Sequence, residues 1–186
     1  MFAEECGVAY DFQVVGSLLA LDSSDYGGNP ALRVPTLVTP EGSAFGSLPS
    51  CRLIAAMRAA PLQMVWPEQA PALLVSNAME LTVQAMSTEV SLILVKAGGA
   101  ESSHYASKLR SALLGMMAWL DQNLEDALRL LPTRDLSFLE LSLFCLVDHL
   151  QFREVIPIDP YGQLREFRDS FARRPSAMAT PFKFDT

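Results

Sequence analysis

Asn29-Pro30-Ala31-Leu32-Arg33-Val34-Pro35-Thr36-Leu37, running on through Val38-Thr39-Pro40-Glu41-Gly42-Ser43-Ala44-Phe45-Gly46-Ser47, is the stretch on which the reading of this chain turns. Tyr26-Gly27-Gly28-Asn29-Pro30 ahead of it is loop chemistry. Residues 36–39 and 43–45 are short β-like runs on either side of Pro40-Glu41-Gly42, the composition of a hairpin. Beyond the hairpin Leu48, Cys51, Leu53, Ile54 and Met57 recur at helical spacing over 47–59, with Ser47 placed to act as N-cap and Pro49 tolerated in the first turn. Upstream, residues 9–15 are rich in β-branched and aromatic types and read as a further strand. The first third of the chain is therefore expected to mix short strands with a helix.

Past Pro61 and Pro67, which bracket a short linker, the texture changes to helical throughout, broken at Gly98-Gly99, at Pro132 and from Pro157 to Pro160. The spacing predicts a helix over about 70–95, where Met79, Met86 and Ile93, with Val83 and Val90, recur every seven residues as a lengthwise packing seam. A second helix over about 101–128 carries Leu109, Leu113, Met116, Met117, Leu120 and Leu124 on one side, so the two form a long antiparallel hairpin. A third starts in Leu136-Ser137-Phe138-Leu139-Glu140-Leu141: Ser137 caps, Glu140 at N3 reaches back, and Leu136 staples to Leu141. Its body is apolar on every face apart from Ser142 and Asp148, as for a helix at the centre of a bundle. A fourth, over 161–173, has Leu164, Phe167 and Phe171 on one stripe and ends before Pro175.

The chain has 186 residues, half of them hydrophobic and 19% charged, which excludes disorder and small disulfide scaffolds. A net charge of -7 and a pI near 4.8 leave no electrostatic footprint for a phosphate backbone or an anionic lipid surface, so neither nucleic acid nor membrane is an expected partner. The run Ser91-Leu92-Ile93-Leu94-Val95 ends at Lys96, well short of the ~20 residues of a spanning helix. Met1-Phe2-Ala3-Glu4-Glu5-Cys6 lacks the basic region of a presequence, and Cys6, Cys51 and Cys145 are an odd, scattered set that suits reduced thiols in a cytoplasm. With His104 and His149 the sole histidines and no cysteine pair, no metal site is expected.

The order and spacing of Asn29-Pro30-Ala31-Leu32-Arg33-Val34-Pro35-Thr36-Leu37 and Asp135-Leu136-Ser137-Phe138-Leu139-Glu140 resemble the cytosolic glutathione S-transferase family, whose wording is Asn-Pro-x-Gly-Lys-Val-Pro-x-Leu followed later by a Ser-x-x-Asp capping box. The likeness spans nearly the whole chain, and the ending from Phe152-Arg153 to Arg173-Arg174-Pro175-Ser176 is similar to bacterial members. It implies an α+β fold. Residues 1–60 would be an incomplete thioredoxin-like glutathione-binding domain, 61–69 a linker, and 70–186 an all-α C-terminal helical bundle. It implies glutathione as co-substrate, a small electrophile as second substrate, and a homodimer formed by the first domain against the long helices of the second. Pro35 would be the family's cis-proline, turning the Val34 backbone toward the peptide-like middle of glutathione; from Val34-Pro35 alone an ordinary trans turn is equally open. Ser47 at a helix N-terminus would meet the γ-glutamyl carboxylate. Arg33, where the family often has Lys or Gln, would face the glycyl carboxylate.

Two departures bear on activity. Gly46 stands where the family commonly has Glu or Asp to pair with the ammonium of glutathione, and losing that charge-assisted contact costs on the order of 1.5–3 kcal/mol. Met1 falls where the family already has its first helix, so the opening strand and the loop bearing the thiol-activating Ser, Tyr or Cys have no counterpart; the expectation is that the native polypeptide starts further upstream. What remains, Met1 to Cys6 before a C-capping Gly7, is under two turns, and Cys6 at its far end reads as a core residue rather than a nucleophile. The catalytic residue is left unassigned, and the rival reading is a non-catalytic interaction module that keeps the fold.

Overall fold

The computed structural model describes residues 1–183. It divides into two compact units, Met1–Pro61 and Leu62 onward.

The first unit opens with α1 (Phe2–Cys6), which ends at Gly7 in the left-handed conformation with its N–H bonded back to the helix. The hairpin follows, β1 (Thr36–Thr39) paired antiparallel with β2 (Gly42–Phe45) in the register Thr36↔Phe45 to Thr39↔Gly42. Then comes α2 (Ser47–Met57), which packs on α1 and on the hairpin and buries Ser50, Cys51 and Ala55. Residues 9–15, expected as a strand, are irregular. A strand exists only by pairing its backbone groups, and among the described residues the sheet of this unit has just β1 and β2. Tyr10, Phe12 and Val14 are accordingly 42%, 76% and 52% exposed.

One buried side chain and one close backbone approach hold the intervening loop. Tyr26 closes a single 3₁₀ turn (Ser23–Tyr26) and donates its hydroxyl to the carbonyls of Ser17 and Ala20. Gly27, at φ +63°, lies so close to β1 that a Cβ there would meet the Thr36 and Val38 methyls at 3.1 Å.

The second unit starts inside the expected linker. β3 (Met64–Val65) pairs in parallel with β4 (Leu136–Ser137), and Asp135 accepts the Gln63 N–H at 2.8 Å. Val65 is part of the helical core. α3 (Leu73–Ala97) and α4 (His104–Leu130) form the long hairpin, α5 (Phe138–Arg153) lies beside α3, and α6 (Gly162–Phe171) packs on α4 and α5. A short α7 (Pro175–Ala179), starting at Pro175, follows the helix expected to be last. The core joins Val75, Met79 and Leu92 of α3, Leu113, Met117 and Leu120 of α4, and Leu139, Leu143, Leu146 and Leu150 of α5.

α3 is longer than its apolar run suggested: at 25 residues, with a mean hydropathy of 1.2 over its most apolar window, it has the length and composition of a spanning helix. It is packed against α4 and α5, and it buries the Glu89 carboxyl group, whose Oε1 lies 2.8 Å from His149 Nδ1 on α5.

The start of α5 follows its expected capping box with an added partner. Ser137 Oγ accepts the Glu140 N–H at 3.1 Å and donates its own proton to Glu140 Oε2 at 2.7 Å. Glu140 therefore reaches the cap hydroxyl, and Arg134 grips both its oxygens through Nε and Nη2 at 2.8 and 2.9 Å. The Asp148 carboxylate, exceptional on an apolar helix, is matched by Arg168 of α6 at 3.1 Å. These residues are structural; all of them lie in the second unit.

Candidate functional site

The distinctive backbone of the first unit is the turn from Asn29 into β1. Asn29 is 4% exposed, and its side chain makes two local bonds: Nδ2 donates to the Arg33 carbonyl at 2.8 Å and Oδ1 accepts the Ala31 N–H at 3.0 Å. This clamp folds the loop tightly enough to put Leu32 at φ +52°, a left-handed conformation that costs an ordinary side chain about 1–2 kcal/mol. Leu32 occupies the position that the family wording gives to Gly. The Val34-Pro35 peptide that follows is cis.

Antiparallel pairing then fixes which groups face outward. The Gly46 N–H donates to the Pro35 carbonyl at 2.9 Å, extending the β1–β2 ladder by one rung. Backbone groups alternate sides along a strand, so Pro35, Leu37 and Thr39 face β2 while Val34, Thr36 and Val38 face away from it. Val34 is 52% exposed, and among the described residues its N–H and C=O have no hydrogen-bond partner. The same rung sets Gly46, and hence the start of α2, alongside Pro35.

At that helix start the expected role of Ser47 is corrected. Gly46, at φ +88°, is the N-cap and Ser47 is the first helical residue; no side chain caps the end. The chain must turn from β2 into α2 through a positive φ, which glycine supplies and serine does not. The serine that does bond locally is Ser50, whose hydroxyl donates to the Gly46 carbonyl at 2.7 Å. Pro49 lacks an N–H, so the amides at the head of α2 are those of Ser47 and Leu48, and both point out of the helix start as free amides do there. Ser47 is exposed, and so is Arg33, whose carbonyl is held by Asn29.

Arg33, Val34, Pro35, Gly46 and Ser47 are thus gathered around one rung of backbone. Sequence reasoning missed Asn29 as the residue that shapes this turn, although Asn two positions before a turn residue is a recognisable Asx signal. It also missed Tyr26 as the tie of the preceding loop, for which the sequence offers no local signal.

The unit offers little to activate a thiol or act as one. The Cys6 thiol is pushed up by burial, the reverse of what a reactive thiolate needs. The Tyr26 hydroxyl is spent on two carbonyls. Tyr10 donates to Glu4 at 3.0 Å; burial and that bond raise its phenol above the ordinary range. Asp22, beside a shallow groove lined with Leu21, Ser23, Pro30 and Leu32, accepts the Ser24 N–H, which holds its carboxyl below the usual range. Among the described residues no group of three or more His, Cys, Asp or Glu could hold a metal ion.

No protein-family model and no curated protein matches the chain. Among solved structures, it is similar to a glutathione S-transferase from Methylobacterium radiotolerans, crystallised in complex with glutathione sulfonate, at 17% identity and a TM-score of 0.68. The chain has a glutathione S-transferase-like fold. The match covers 98% of this chain and 88% of that one, so it takes in the α/β unit and the helical bundle alike. The α+β architecture is thereby that of a thioredoxin-like first unit with a second one that is helical apart from the short β3–β4 pair.

Proposed function

We propose that this chain is a glutathione S-transferase-like protein that binds glutathione in its first unit. The observation that carries the reading is the outward, unpaired Val34 backbone beside cis-Pro35, bonded through Gly46 to the uncapped head of α2. An extended peptide of cysteine type fits such an edge, its backbone pairing with the N–H and C=O of Val34 as one added rung. The γ-glutamyl carboxylate falls to the Ser47 and Leu48 amides and the positive end of the α2 dipole. Arg33 faces the glycyl carboxylate. The solved neighbour, whose crystal holds glutathione sulfonate, supports this choice of ligand. In this reading the protein is cytoplasmic and homodimeric, uses no metal, and presents the glutathione thiol to a small electrophile.

Binding is expected to be weak. Gly46 brings no carboxylate to the ammonium of glutathione, and a missing charge-assisted bond of about 1.5–3 kcal/mol weakens Kd by roughly ten- to a hundredfold. Acceleration needs a group that hydrogen-bonds and stabilises the thiolate, and no side chain described above does so. The Gly46 departure favours the second reading, a non-catalytic interaction module with the same fold. Calorimetry with glutathione, run beside a conjugation assay with a chloronitrobenzene, tests the two. Weak binding without turnover supports glutathione binding. Absence of binding leaves the interaction module. Robust turnover identifies an activating group, and Ser47→Ala is then the first variant to make.

A further inference from the structure

The buried Glu89 of α3 has a role in the second unit that packing alone does not explain. Its Oε1 lies 2.8 Å from His149 Nδ1 on α5. A carboxylate only accepts, so Nδ1 carries the hydrogen of that bond and Nε2 is the nitrogen that gains and loses a proton. The imidazole is a quarter exposed, and phenyl rings cover it: Phe182 at 4.9 Å between centroids and Phe152 at 6.3 Å, themselves stacked at 5.8 Å. Phe182 lies in the stretch 180–183 that follows α7. Thr180 still bonds back to α7, its N–H to the Ala177 carbonyl and its hydroxyl to that of Ser176. Among the described residues no backbone hydrogen bond holds 181–183, and Pro181 has no N–H to give, so the Phe182 ring is their visible tie.

We propose that His149, Phe152 and Phe182 form a pH-sensitive latch, in which a protonated His149 holds residues 181–183 against α5 and loss of that proton loosens them. Protonation places a cation between the Glu89 carboxylate and two phenyl rings. A cation within about 6 Å of such a ring is attracted by its quadrupole, which at a partly exposed site shifts an equilibrium roughly two- to fivefold. Docking is therefore complete at low pH and weakens as pH rises through the imidazole range of about 5 to 8. Among the described residues the neighbouring groups leave this dependence to His149. On α5, Asp148 is held by Arg168 of α6 at 3.1 Å, and Arg153 lies one turn further along. Lys183 follows Phe182 in the strap. Aspartate, arginine and lysine keep their charge over that range. The Cys145 thiol, one turn back on α5, is pushed up to about 11 by burial and stays neutral. The latch lies wholly in the second unit and does not draw on the glutathione reading.

Nuclear magnetic resonance of the full chain between about pH 5.5 and 8.5 tests it, with the exposed His104 as internal control. If docking and protonation favour each other, removing the ring weakens proton binding at His149 by the same factor. Phe182→Ala and Phe182→Leu both alter a side chain that is 41% exposed, and leucine keeps apolar bulk while lacking a ring face. The expected result is a His149 titration midpoint lower by about 0.3–0.7 pH unit in both variants, the two- to fivefold factor on a logarithmic scale, with His104 unmoved. In the natural sequence the backbone order parameters of Phe182 and Lys183 should fall as His149 loses its proton. A midpoint that is unchanged or raised in either variant, or order parameters that stay flat across the titration, would overturn the latch. A fall confined to Phe182→Ala would assign the contact to apolar cover instead of the ring face.

Discussion

Leu32 gives the sharpest test of how the site's backbone is built. Its φ of +52° belongs to the left-handed region, where an L side chain pays about 1–2 kcal/mol and glycine pays nothing. Glycine loses more freedom on folding, by about 0.4–1 kcal/mol relative to alanine. Replacing Leu32 directly by glycine would mix strain relief with the loss of its partly buried side chain, so the informative comparison is Leu32→Gly against Leu32→Ala. Both remove the isobutyl group, and they differ in whether strain remains. The two terms leave Leu32→Gly more stable than Leu32→Ala by about 1 kcal/mol, or about fivefold in the population of the opened unit. At a residue with ordinary φ the order is reversed.

The thiols supply an assay that reports the two units separately. Cys6 and Cys51 are buried in the first unit, and Cys145 lies in the second. Pulsed alkylation in a urea series, read by peptide mass spectrometry, should show Cys6 and Cys51 labelling about fivefold faster in Leu32→Ala than in Leu32→Gly under native-favouring conditions. Cys145 labelling is the internal control for the second unit. Equal labelling of Cys6 in the two variants, or faster labelling in Leu32→Gly, would show that the turn carries no left-handed strain.

Further expectations concern single groups. Gly27→Ala should destabilise the first unit by about 1–3 kcal/mol, through its positive φ and the 3.1 Å contacts its Cβ would make with Thr36 and Val38, measured by the same Cys6 labelling. His149→Leu strips the buried Glu89 carboxyl group of its partner and should cost about 3–5 kcal/mol in urea unfolding followed by Trp66 and Trp119 fluorescence, whereas Glu89→Leu with His149→Leu should cost far less; equal losses would argue against the pair. Burial pushes the Cys145 thiol up from about 9 to about 11. The folded state therefore holds this proton longer than the unfolded one, so the associated stability is complete below pH 9 and lost as pH rises through 11, about 2–3 kcal/mol that Cys145→Ala should remove from the profile.

Much of the architecture was legible because it rests on local chemistry. The α3–α4 hairpin follows from helical periodicity on either side of Gly98-Gly99, and the start of α5 from Ser137 and Glu140, whose groups meet within four residues. The β1–β2 hairpin is equally local, set by Pro40-Glu41-Gly42. What failed depended on distant partners. Residues 9–15 have strand composition, yet composition does not supply a neighbouring backbone, and the segment is irregular. Arg134 on Glu140, Arg168 on Asp148 and His149 against Glu89 join residues 6, 20 and 60 positions apart, beyond any periodicity.

Around the candidate site the same division holds. Val34-Pro35 was expected to matter from its wording, and Asn29 could have been added from its place at the head of the turn. The exchange of roles between Gly46 and Ser47 was hidden because it depends on φ at one residue: serine is a good N-cap by type, but the chain enters α2 with φ +88°. The outward direction of Val34 is a matter of parity, fixed by the Gly46–Pro35 rung rather than by any residue type.

The most direct measurement is a glutathione titration of the isotope-labelled chain followed by backbone amide chemical shifts. With glutathione raised to about 10 mM, enough to populate a site of millimolar affinity, the Val34, Ser47 and Leu48 amides should move together and saturably, with one shared Kd, while the amides of α4 and α5 stay in place. Unmoved amides at all three positions, or a saturable response elsewhere in their stead, would contradict glutathione binding at the cis-Pro35 edge.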